Sequence, residues 1–109
     1  MKKQIDKILE EIVEGVDFYQ SGRWANKEKL IKVQRSISSN VFYLTQHNIE
    51  AYNKWNAIVY NRNGGSVNAA QVKADNEVPE LRMTRKILEA TKNVQIAISN
   101  ELSILKNDD

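Results

Sequence analysis

The 109-residue chain is predicted to be all-α: a long antiparallel helical hairpin with an additional N-terminal helix, elongated and oligomeric. Three observations predict this. Apolar residues recur at steps of three and four in every long segment, as on one face of a helix. The stretch from Asn26 to Asn61 contains neither Gly nor Pro. β-Branched residues nowhere alternate with polar ones over a sustained run, so no strand pattern exists. One domain fits this length.

The first helix is expected over about residues 3–21. Ile5, Ile8, Leu9, Ile12, Val13, Val16 and Tyr19 form its apolar face. Gly15 weakens it by about 1 kcal/mol relative to Ala, and Gly22 is a fitting C-terminal stop. The second is expected over about 26–61, with Asn26 as N-cap. At 1.5 Å per residue it would span about 50 Å, more than a compact subunit of this size requires. Gly64-Gly65 breaks the pattern, and Ser66 can cap a short helix over about 67–75. Pro79 suits a first helical turn and restricts the residue before it, so a last helix is expected over about 79–107. Its stripe is Leu81, Leu88, Ile98, Leu102 and Leu105.

The second helix carries two interleaved series of sevens. Leu30, Ile37, Leu44, Ala51 and Ile58 form one; Gln34, Val41, Asn48 and Trp55 form the other. Their four–three alternation is a heptad seam. Gln34, Val41, Asn48 and Trp55 are expected to form an oligomer seam. Buried polar residues at such positions lower stability but fix register; solvent exposure would explain Gln34 and Asn48 equally well. Because the far end of so long a helix lacks an obvious support, a homo-oligomer is expected.

The formal net charge is only +2, but it is unevenly spread. Residues 27–62 carry Lys27, Lys29, Lys32, Arg35, Lys54 and Arg62 against Glu28 and Glu50, a net +4. Aromatic residues are interleaved with them, among them Phe42, Tyr43, Tyr52, Trp55 and Tyr60. Phosphates attract cations and every base offers a π-face, so this mixture suits a sequence-tolerant single-stranded nucleic-acid site. The expected contacts are Lys27, Lys29, Lys32, Arg35, Tyr52, Lys54, Tyr60 and Arg62. A solvated charged helix face is the simpler alternative.

Catalytic chemistry has little to stand on. There is no Cys and one His, His47, so zinc coordination would need carboxylates from elsewhere. Gly64-Gly65-Ser66 lacks the spacing of a P-loop. Asp75, Glu77 and Glu80 are explained by an acidic bias at a helix start. No enzyme activity, metal or cofactor is expected. No apolar run approaches the ~20 residues of a membrane span, and Asp6, Glu10, Glu11 and Glu14 interrupt any signal-peptide core. A cytoplasmic protein with no membrane partner is expected.

Two stretches carry a family resemblance. Ala74-Asp75-Asn76-Glu77-Val78, followed by an apolar-periodic helix to Ala97-Ile98 and Ile104-Leu105-Lys106, and Lys54 to Tyr60 followed by Gly64-Gly65, resemble the UvsY-type recombination mediators of T-even-like phages. The resemblance covers roughly Lys54 to Lys106. Asn56 stands where that family has an arginine, and the N-terminal third does not match. The resemblance implies a ring-forming, non-enzymatic accessory factor that binds single-stranded DNA and helps load a recombinase onto strands covered by single-strand-binding protein. Lys54 and Arg62 would then contact phosphate, with Tyr52 or Tyr60 stacking. A single-stranded DNA-binding accessory factor of phage-type recombination or replication is therefore the expected function, with single-stranded DNA, a recombinase or a single-strand-binding protein as partners. The alternative is a small helical phage-encoded protein that binds and inhibits a host protein, since Asn and Tyr suit adaptable polar interfaces.

Overall fold

The computed structural model describes residues 4–22, 27–61 and 64–107. These residues form four helices and no strand: α1 (Ile5–Ser21), α2 (Lys27–Tyr60), α3 (Val67–Glu77) and α4 (Pro79–Asn107). The all-α expectation holds. Asn26, expected as the N-cap of α2, lies outside the described residues. The molecule measures 64 × 26 × 20 Å, with a radius of gyration of 18.2 Å. A compact domain of this length would have about 13 Å, so the chain is elongated.

Local sequence sets the helix ends. α1 begins at Ile5, two residues later than expected, with Gln4 extended before it (φ −66°, ψ 143°). It stops at Gly22, whose φ of 66° is left-handed and whose N–H donates to the Tyr19 carbonyl at 3.2 Å. Only glycine adopts that conformation without cost. Ser66 caps α3, its Oγ accepting from the Ala69 N–H at 3.0 Å. α3 runs to Glu77, past the predicted end at residue 75. Val78 then leaves the helical region (φ −127°, ψ 62°) while its N–H still donates to Ala74 O at 2.8 Å. The ring of Pro79 disfavours helical ψ at the preceding residue, so Val78 is the corner at which α3 ends and α4 begins.

α2 is the axis of the fold. Leu30, Ile37, Leu44 and Ala51, spaced by seven, are all buried. α4 returns antiparallel along one side: Gln34 meets Ser99, Ser38 meets Gln95 and Asn48 meets Thr84. α1 lies antiparallel on another side, with Ile8 and Ile12 clustered on Leu44. Gly15 eases the contact at this crossing. A Cβ there would stand 3.1 Å from Ile37 Cγ1, and Ile37 is fully buried. The glycine that weakens α1 as an isolated helix thus permits its close approach to α2. α3 occupies the remaining length, burying Ala70 and Ala74.

The seam expected to face a second subunit is closed within the chain. Val41 packs beside the Leu30–Ile37–Ile98 cluster, and Trp55 packs beside Ala51, Val78 and Leu81. Gln34 Nε2 donates to Ser99 Oγ at 2.9 Å. Asn48 Nδ2 donates to Thr84 Oγ1 at 2.9 Å and to Leu81 O at 3.3 Å. These polar positions therefore fix the register of α4 against α2. The far end of α2, expected to lack support, is covered by α3 and the Val78 corner. A 29-residue return helix with a short helix before it is long enough to cover what a simple hairpin would leave bare.

Buried polarity is greater than the pattern of sevens implies. Thr84 and Thr91 are buried, and their hydroxyls donate to Glu80 O at 2.7 Å and Ile87 O at 2.6 Å. Asn40 is also buried; its Nδ2 donates to Ser36 O at 2.9 Å, while its Oδ1 has no partner among the described residues. A double-mutant cycle of Asn48→Ala with Thr84→Ala in urea should show a coupling energy of about 1 kcal/mol. Coupling below about 0.3 kcal/mol would exclude a register-fixing role for this bond.

Candidate nucleic-acid interface

The predicted contacts are distributed along α2 rather than gathered at one place. Lys27, Lys29 and Lys32 are exposed at its N-terminal end. Arg35 to Lys54 is then about 28 Å along the helix. Lys54 sits on the edge facing α1, in a shallow depression with Ile5, His47, Glu50 and Glu80. Tyr52 lies on the opposite edge, beside α4. Tyr60 is 81% exposed at the end of α2. Arg62 lies outside the described residues. Helical periodicity explains the separation: residues two apart differ by about 200° around the axis, so Tyr52 and Lys54 cannot share a face.

The structure builds a cleft around Tyr52 instead. It encloses about 310 Å³ between α2, α3 and α4, with Trp55, Asp75, Asn76, Pro79, Arg82 and Arg85 in its walls. The Tyr52 and Trp55 rings are nearly parallel, 10° apart, with centroids 6.5 Å from each other. Trp55 Nε1 donates to Asp75 Oδ1 at 2.9 Å, and the other Asp75 oxygen is 3.6 Å from an Arg82 guanidinium nitrogen. One carboxylate thus positions both an aromatic ring and a cation. Glu80 lies in the first turn of α4, as the acidic bias at a helix start implies, but the expectation is corrected for the other two members of the cluster. Asp75 and Glu77 lie in the last turn of α3, where the helix dipole opposes them. Asp75 is held by Trp55 and Arg82, and Glu77 by Lys73 at 4.0 Å. Arg85 has no hydrogen bond or ion pair among the described residues.

The cleft continues into a strip on the side of the α2–α4 pair away from α1. Arg35, Phe42 and Ile49 are spaced by seven along α2, with Tyr52 three residues further. Arg85, Lys92 and Ser99 are spaced by seven along α4. Ser99 touches Gln34 and Arg85 lines the Tyr52 cleft, so both stripes border the same groove. α1 packs against the other side of α4, near Ile87 and Leu88. Phe42 is 60% and Ile49 54% exposed. Glu89, also exposed, is the acidic member of this strip. From Arg35 to Tyr52 the strip is about 25 Å long.

Of the predicted residues, Arg35 and Tyr52 are therefore brought onto one face. Arg82, Arg85 and Lys92 join them without having been predicted. Their segment, residues 73–109, carries six basic and seven acidic groups, and an averaged charge conceals which of them share a face. The seven-residue step from Arg85 to Lys92, matching that of Arg35, Phe42 and Ile49, is the signal that could have found them. Among the described residues no group of metal-ligating side chains is present and no helix is long and apolar enough to cross a membrane.

The Trp55–Asp75 bond should matter more to the cleft than to stability. Trp55→Phe, which keeps the ring and removes the donor, should cost about 1 kcal/mol in urea denaturation. Asp75→Asn, which keeps an acceptor, should cost less, because the Arg82 pair is exposed to solvent. A larger loss from Asp75→Asn than from Trp55→Phe would show that the charge, not the indole bond, holds α3 in place. Comparison of the chain with protein-family models, curated proteins and solved structures gives no match.

Proposed function

We propose that this protein binds single-stranded DNA without catalysing a reaction on it, as an accessory factor of phage-type recombination or replication. The observation that carries the reading is the shared face of Arg35, Phe42 and Tyr52 with Arg82, Arg85 and Lys92. Stackable rings alternate there with cations, the combination that holds a flexible strand by phosphate attraction and base stacking. A single strand can follow such a strip because its bases are unstacked; a duplex hides its base faces. The resemblance to recombination mediators supports the accessory role, with a recombinase or single-strand-binding protein as the protein partner. Self-association belongs to the same reading, since repeating a short strip in each subunit adds phosphate contacts along one strand.

The exposed Phe42 and Ile49 favour a second reading, in which this face covers the surface of a host protein. Salt separates the two. Fluorescence anisotropy with a labelled oligonucleotide should show binding whose affinity falls about 20-fold between 50 and 200 mM salt, if Arg35, Arg85 and Lys92 each neutralise one phosphate of a single strand. Arg85→Ala and Lys92→Ala should each weaken binding and reduce the salt slope by about 0.7. No binding at low salt and micromolar protein would reject the nucleic-acid reading. A stoichiometric protein partner from nuclease-treated lysate would then favour the other.

A further inference from the structure

We infer that the cleft between α2, α3 and α4 is a nucleotide pocket, in which one base stacks on Tyr52 and its phosphate is held by Arg85. This rests on the single-strand reading above and assigns it a specific anchoring point.

Five features of the cleft support the assignment. Its volume of about 310 Å³ is at the small end for ligand sites, which suits one nucleotide rather than a larger molecule. Tyr52 is 46% exposed and already parallel to Trp55, so a third planar ring can extend the stack from its open face. Holding Trp55 through Asp75 fixes that platform before any ligand arrives, and preorganisation reduces the ordering cost of binding. The two arginines are not equivalent. Arg82 is engaged by Asp75 at 3.6 Å, whereas Arg85, one helical turn on, has no partner among the described residues and is available to a phosphate. Asn76, also in the wall, offers both a donor and an acceptor to a base edge.

Three other cavities among the described residues fit this chemistry less well. The depression beside Phe18 and Lys32 is bordered by Glu11 and Glu14, and the one beside His47 and Lys54 by Glu50 and Glu80. Each sets one lysine against two carboxylates, a balance that repels a phosphate, whereas the Tyr52 cleft sets two arginines against Asp75 alone. The cavity beside Ile58 and Lys73 has no aromatic wall.

A Trp24→Phe background leaves Trp55 as the only tryptophan of the two in the chain, reporting directly from the cleft. Titration with deoxyadenosine 5′-monophosphate should quench its fluorescence saturably, with a midpoint of about 1 mM, as expected when one stacked base and one phosphate contact supply the affinity. Arg85→Ala, an exposed change, should raise that midpoint about tenfold, and Tyr52→Ala should abolish the quenching. Inorganic phosphate should leave the emission unchanged; equal quenching by phosphate alone would overturn base recognition. An oligonucleotide that binds by anisotropy without altering Trp55 emission would overturn the pocket while leaving strand binding intact. Quenching by the mononucleotide without oligonucleotide binding would uphold the pocket and reject the strand reading.

Discussion

The register between α2 and α4 is the constraint on which the rest of the molecule depends. Apolar packing of Leu30 and Ile37 with Ile98 brings the two helices together, but such contacts tolerate sliding by a turn. The Asn48–Thr84 and Gln34–Ser99 bonds do not, because displacement by even one residue would break both. They lie 14 residues apart on α2 and 15 apart on α4, so together they act as a two-point alignment over about 20 Å. Everything at the Tyr52 end follows from that alignment. It places the Val78 corner against Ala51 and carries Arg82 and Arg85 to the level of Tyr52.

The cover that α2 receives besides α4 is divided between two helices. α1 covers α2 near Leu44 and Ile37, and α3 covers the end near Ala51 and Ile58. Each meets α2 through small residues, Gly15 in one case and Ala70 and Ala74 in the other. Small residues let helix axes approach closely, which offsets the modest apolar surface that α3 contributes. This division leaves one side of the α2–α4 pair uncovered from Arg35 to Tyr52. Exposed rings, and cations without a partner among the described residues, on that side are more informative than the larger charge count at the start of α2, which lies on a solvated surface.

Asp75 links the architecture to the cleft. Its carboxylate accepts from the indole of α2 and faces the guanidinium of α4, although it belongs to α3. A residue read as part of a helix-start acidic bias is thus a three-helix junction. It stands at the unfavourable end of the α3 dipole, and the indole donor and guanidinium supply the compensating positive groups. The same junction keeps Arg82 engaged and leaves Arg85 available, a distinction between two neighbouring arginines that composition cannot express.

Local chemistry alone was enough to define the helices. The steps of three, four and seven, the left-handed Gly22, the Ser66 cap and the restriction imposed by Pro79 act within a few residues of chain, and the observed elements follow them within about two residues. The placement of the polar seam was not legible in the same way. Gln34 and Asn48 satisfy the heptad spacing whether the facing helix belongs to the same chain or to another, and only the return of α4 selects the first. The face proposed to bind was less legible still. Arg35 and Tyr52 are separated from Arg82, Arg85 and Lys92 by a turn, a short helix and a corner, so no window of sequence contains them together. Periodicity assigns a residue to a face of its own helix; which faces become neighbours is decided by the register of the packed helices.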